Sequence, residues 1–269
     1  MSLTVASILV LMFLNLVLGS VSIPLKSVWN IICGLGDEPV TWQNIVWKSR
    51  LPQALTALVA GAGLAISGLQ MQTVFRNPLA GPSVLGISSG ASMGVAFVVL
   101  LSGSLGGVAL SKLGVMGEIA LSIAAVIGSL SVMALIVYVS QKVKGNVTLL
   151  IIGVMIGYVA NAVIGVLKFF SVEEDIRAYV IWGLGSFSRV SGNQMMLFVA
   201  IMAILIPLSF LLIKTLNLML LGDGYARNLG LNIKRARLLV ITSAGVLTAI
   251  VTAYCGPVIF LGPVSYTHL

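Results

Sequence analysis

Of the 269 residues in this chain, 59% are hydrophobic and only 8% carry charge. Ordinary soluble domains carry about 25% charged residues, so hydrocarbon rather than water must solvate most of this surface. The net charge of +8 does not mark a nucleic-acid binder, because Lys and Arg are scattered among the loops and form no basic stripe with interleaved aromatics.

The fold class that follows is all-α: a polytopic transmembrane helix bundle. Hydropathy predicts seven spans, near residues 3–22, 51–74, 84–101, 118–140, 148–168, 195–214 and 238–256, with an eighth beginning after Pro257. The first, Leu3 to Val21, has no Lys or Arg before Lys26 and no small-residue cleavage site, so it reads as a retained span and not a cleaved leader. Cys33 falls in a loop and Cys255 ends the last full span; they read as unpaired thiols. The single histidine, His268, has no ligand partners nearby, so no metal site is expected.

Arg50 stands at the head of the second span, near Trp47, where an interfacial arginine snorkels. Within that span Ala57, Gly61 and Ala65 recur every four residues beside Gly63 and Ser67, a face suited to close helix packing in lipid. A polar break follows at Arg76-Asn77-Pro78, with Pro82 close behind. Neither proline can continue a helical ladder and Asn77 can cap the next turn, so Arg76, Asn77, Pro78 and Pro82 are assigned to architecture. In the fifth span Gly153, Gly157, Asn161 and Gly165 share a face. An amide in hydrocarbon needs a partner or water, so this face is either bundle interior or substrate path.

Between the sixth and seventh spans lies a loop with Gly222, Gly224 and Gly230 as expected helix breakers. Tyr225, Ala226 and Leu229 offer a small apolar face there. Arg227 and the cluster Lys234, Arg235 and Arg237 suit an acidic partner or lipid phosphates. Eight basic residues fall on this loop's side of the membrane and seven on the other, whereas Asp37, Glu38, Glu118, Glu173, Glu174 and Asp175 all fall opposite. The dense cluster from Arg227 to Arg237 places its loop in the cytoplasm, and the N-terminus with it.

No span carries a central Asp, Glu, Lys or Arg, and no G-x-x-x-x-G-K-[ST] sequence is present. The chain therefore reads as a conduit whose energy comes from a partner. An ion-gradient-coupled secondary transporter and a membrane scaffold without transport are the alternatives from other classes.

Several motifs, in order, resemble one family. They are Arg50-Leu51-Pro52; Gly61, Gly68 and Gln72; Arg76-Asn77-Pro78-Leu79-Ala80 with Pro82; Leu85-Gly86; Gly90-Ala91; Trp182-Gly183-Leu184-Gly185-Ser186; Gly222 to Asn232; and Cys255 to Gly262. Together they resemble the FecCD-type permeases, the membrane subunits of ABC importers for ferric siderophores, haem and cobalamin.

The resemblance implies a bacterial inner-membrane protein of ten helices that catalyses no reaction itself and binds no cofactor. It implies a second permease subunit, as a homodimer, an external substrate-binding protein, and two cytoplasmic ATPase subunits that hold ATP and Mg. It makes Gly222, Asp223, Ala226, Arg227, Leu229 and Gly230 an ATPase-coupling loop of short helices, with Asp223 where the family often has Glu. It makes Arg50 a docking residue for the binding protein, although Gln53 stands where a second arginine usually sits. It places a cytoplasmic gate at Asn146-Val147-Thr148, and it sets Gly153, Gly157 and Asn161 beside the pathway. Residues 1–262 are then an incomplete permease domain. Residues 263–269, Pro263 to Leu269, depart from the family pattern and read as a non-native or truncated tail, so His268 is not the family histidine.

Overall fold

In the computed structural model the described residues are 2–35, 38–104, 115–143, 146–190 and 192–258, and among them all regular structure is helical. The expected tail, the possible eighth span and Lys144 lie outside them. The helices are α1 (Ser2–Val17), α2 (Leu25–Cys33), α3 (Val40–Ile45), α4 (Leu51–Phe75), α5 (Ile87–Ser104), α6 (Val115–Lys142), α7 (Asn146–Phe169), α8 (Glu173–Gly183), α9 (Gly192–Phe210), α10 (Ile213–Leu220), α11 (Asp223–Asn228) and α12 (Ile233–Cys255).

Each of the seven predicted spans coincides with a helix: α1, α4, α5, α6, α7, α9 and α12. Four helical segments among the described residues are long and apolar enough to cross a bilayer unaided: Val40–Phe75, Met116–Lys142, Val147–Phe169 and Ile233–Cys255. The span expected near 195–214 is a bent pair of helices, with α9 and α10 meeting at 46°. Pro207 lies within α9, and the helix closes with the short bonds Leu211 N–H to Leu208 O and Leu212 N–H to Ser209 O. Apolar side chains such as Ile127, Val159 and Ile204 lie exposed on their helices, as residues that face lipid must.

The chain divides into two compact units, and the division falls inside α4 and α9. One unit comprises residues 1–59 and 186–200. Its core is Leu16, Ile23, Val28, Ile31 and Val46. Here Pro52 cannot donate to the Lys48 carbonyl and crowds it, and the turn just before, Val46–Arg50, is widened into a π-helix.

The other unit comprises residues 60–185 and 201–269. Its core draws on α4 (Met71, Val74), the turn after it (Leu85), α6 (Val132, Ile136) and α12 (Val240, Ile241). α5 and α6 touch backbone to backbone. A Cβ on Gly90 would lie 2.7 Å from the Gly128 carbonyl oxygen, and one on Gly128 would overlap the Gly90 carbonyl. Lipid-facing helices gain little from bringing apolar side chains together, so this proximity is where their dispersion energy comes from. α4 meets α12 through polar contacts. Ser67 Oγ lies 2.9 Å from the Ala244 carbonyl and 2.8 Å from Thr248 Oγ1, and Gln70 Nε2 donates to Ser243 Oγ at 3.1 Å.

Candidate functional site

α11 and its flanks form a bracket whose bends are readable residue by residue. Gly222 precedes the helix at φ 104°, and Ala226 N–H bonds back to its carbonyl at 2.9 Å. The helix ends in a Schellman motif: Gly230, at φ 86°, donates to Arg227 O (3.0 Å), and Leu231 donates to Ala226 O (2.9 Å). Only glycine takes that left-handed position without steric cost. Asn232 then caps α12, accepting from Arg235 N–H at 3.1 Å.

The bracket corrects two expectations. Gly224 lies inside α11 and breaks nothing. Ala226 does not share a surface with Tyr225 and Leu229: it is wholly buried (0% exposed), whereas Tyr225 is 72% and Leu229 61% exposed. On a helix of six residues one small side chain is enough to anchor the inner face, and the larger ones are turned out. Tyr225 and Leu229, four residues apart, thus share an exposed face, and Arg227 is exposed on the other side of Ala226.

The Arg76 turn abuts this bracket. α4 ends with Arg76 at φ 50°, and Asn77 N–H returns to Gln72 O at 3.3 Å. Asn77 Oδ1 accepts from Leu79 N–H at 2.9 Å, the cap its residue type suggests, and Gln72 Nε2 donates to Pro78 O at 2.8 Å. Pro82 opens a 3-10 turn, Pro82–Leu85. Arg76 reaches across to Asp223, with Nη2 2.5 Å from Oδ1. The sequence gives no local signal for this pair, whose members are 147 residues apart.

The small-residue face of α7 splits in two. Gly153 and Gly157 are buried against the turn before α5: a Cβ on Gly153 would lie 2.8 Å from Leu85 Cα, and Gly157 faces Ser89 Oγ. Asn161 is exposed, and around Gly165 the space is open. Ser83, Ser89, Gly153, Gly157, Tyr158 and Asn161 line a cleft of about 230 Å³. The cleft joins part of the expected pathway set, while Thr148 is exposed in the first turn of α7 and Asn146 is that helix's first residue.

Two further motifs prove to be one contact. A Cβ on Gly256 would lie 2.8 Å from Gly185 Cα and 2.8 Å from Trp182 O, so the Trp182 motif and the Cys255-Gly256-Pro257 motif pack backbone against backbone.

Arg50 is turned inward. It is 5% exposed, and its guanidinium donates through Nη1 to Leu16 O (2.7 Å) and Val17 O (2.8 Å) and through Nη2 to Val21 O. It caps the last carbonyls of α1, where a cation also meets the negative end of the helix dipole. The snorkelling expectation does not describe this placement, because three of the guanidinium's N–H groups donate to carbonyls inside the chain.

At the start of α8, Asp175 is buried and its Oδ2 has no hydrogen-bond partner. Burial, and then the adjacent Glu174, push its carboxyl above the ordinary 3.8. A raised carboxyl pKa means that the folded state holds the proton more tightly, so stability falls as pH rises through the window between 3.8 and the raised value. Asp175→Asn is expected to raise the melting temperature at pH 7 to 8 and to change nothing below the ordinary carboxylate range; a melting series in detergent across pH checks this.

The FecCD transport family pattern matches residues 7–265. The hemin transport system permease protein HmuU of Yersinia pestis is 32% identical over 247 residues, 91% of this chain and 70% of that protein. The vitamin B12 import system permease protein BtuC of Serratia proteamaculans is 35% identical over 220 residues, 82% of this chain but 63% of that protein. The chain thus spans less than two thirds of the length of the B12 permeases it matches. A solved structure of a metal-chelate type ABC transporter, in an inward-facing conformation, superposes with a TM-score of 0.78 at 26% identity, covering 96% of this chain and 76% of that one. This membrane-spanning helical chain belongs to the FecCD transport family.

Proposed function

We propose that the chain is the permease subunit of an ATP-driven ABC importer that takes a bulky chelate of the haem, cobalamin or iron–siderophore class across the bacterial inner membrane. The importer comprises a second permease subunit, two ATPase subunits that hold ATP and Mg on the cytoplasmic side, and an external binding protein. The α11 side and the N-terminus are cytoplasmic, with Asn146, Thr148, Gly153, Gly157 and Asn161 toward the pathway.

The observation that carries the reading is α11 itself: a short helix, closed by the Gly230 turn and held at its first residue through Asp223 to Arg76, that buries Ala226 and leaves Tyr225, Arg227 and Leu229 exposed. A loop meant only to connect spans has no need of such stiffness. A helix that must transmit a push from another protein does, because any slack in its caps would absorb the displacement.

The test separates docking from folding. Tyr225 and Leu229 are exposed, so Tyr225→Asp with Leu229→Asp should leave membrane insertion and melting temperature within experimental error. Uptake in vesicles should fall more than about tenfold, as removal of a desolvated anchor does. Normal uptake by that variant removes α11 from the coupling role. Uptake by the full-length protein that survives collapse of proton and sodium gradients, with ATP present, excludes the ion-coupled carrier.

A further inference from the structure

Side chains from two other segments converge on the Asp223 carboxylate. Arg76 Nη2, at the end of α4, lies 2.5 Å from Oδ1, and Arg237 Nη2, near the start of α12, lies 3.8 Å from Oδ2. Both carboxylate oxygens face arginines of the same chain, so Asp223 is engaged within the chain at its half-exposed surface while Arg227 is exposed.

Arg76 has a second peculiarity. Among the described residues it is the non-glycine residue with positive φ, at 50°. An L-residue with a side chain is disfavoured there, and the turn alone is better served by glycine. The strain has a reason if the side chain is needed, and a guanidinium fork is the group that reaches and holds a carboxylate. The pair is half exposed, so its contribution to global stability is small. Its effect must therefore be sought in how the segments move together.

The surrounding bonds say which segments those are. Gln72 Nε2 ties α4 to the Arg76 turn at Pro78 O, and Gln70 and Ser67, further back along α4, tie it to α12. We infer that Arg76 is a positioning residue for α11: its bond to Asp223 makes the Arg76–Pro82 turn and α11 one mechanical element. A displacement of α11 then reaches α4 directly, in addition to passing along the chain into α12. The inference rests on the reading of α11 as the docking element for the ATPase.

The decisive variant is Arg76→Gly, which suits the left-handed turn and lacks the fork. In proteoliposomes holding the full-length permease, its ATPase and its binding protein, with haemin and cyanocobalamin as uptake probes, this variant should fold and retain the ATPase like the wild type. Uptake per ATP hydrolysed should fall about fivefold or more, the usual scale of a lost coupling. Arg76→Glu and Asp223→Arg should each be impaired at least as much, and the two together should recover toward the wild-type ratio. An Arg76→Gly transporter that couples like the wild type, or an exchanged pair no better than its single variants, overturns the inference alone. A wild-type permease that does not bind the ATPase overturns the docking reading and this inference with it.

Discussion

Gly128→Leu is expected to prevent assembly of the α5–α6 pair. Even a methyl group at Gly128 would overlap the Gly90 carbonyl and approach Gly94 to 3.0 Å. These obstacles are backbone atoms, which no rotamer change can move. Overpacking that side chains can relieve costs about 1–3 kcal/mol, and a clash with backbone lies at or above the top of that range. The variant should give little monodisperse protein on size exclusion in detergent, and Gly128→Ala an intermediate amount. Gly165→Ala supplies the control, because nothing lies within 4 Å of a Cβ there and the helix itself should gain about 1 kcal/mol. A Gly128→Leu protein as abundant and heat-stable as the wild type would show that the helices do not approach at this point.

The second large effect is expected at Arg50. Arg50→Glu would set a carboxylate against the carbonyls of Leu16, Val17 and Val21, where a guanidinium now donates to all three. Leaving a buried carbonyl without its donor costs about 1–3 kcal/mol, and a carboxylate set against the same carbonyls adds repulsion. Gly19 leaves the room this arginine needs, since a Cβ there would lie 2.7 Å from Nη2. The prediction is a cooperative loss of the α1–α2 packing, read as rapid proteolysis within residues 18–24. Arg50→Lys, which keeps the charge but not the fork, should fall between. The same variant also qualifies any binding-protein experiment at this position, because weakened capture by Arg50→Glu would report a loosened unit as readily as a lost contact. Proteolysis of Arg50→Glu no faster than that of the wild type would show that the inward contact is dispensable.

The helical spans were legible because hydropathy is a property of local composition: seven apolar stretches gave seven helices to within a few residues. What hydropathy could not mark were α2, α8, α10 and α11, which are short, amphipathic or polar. It also missed the 46° break at the end of α9, since Leu211 and Leu212 are as apolar as the helix they interrupt. At the candidate site, the glycines at 222 and 230 and the asparagine at 77 announced their turns through backbone chemistry, whereas the Asn232 cap on α12 came only from the structure. The burial of Ala226 between two exposed neighbours depended on what packs beneath it, and α11 is too short for a periodic pattern to show that.

By itself the sequence determined the solvent of this protein, its helical class and the places where the backbone must turn. These follow from transfer energies and dihedral preferences that act residue by residue. Only the tertiary structure decided the partnerships: Arg76 with Asp223, Gly185 with Gly256, Gly90 with Gly128, and Arg50 with the end of α1. Each joins residues far apart in the chain through a distance or an overlap, and such quantities do not exist until the helices have been brought together.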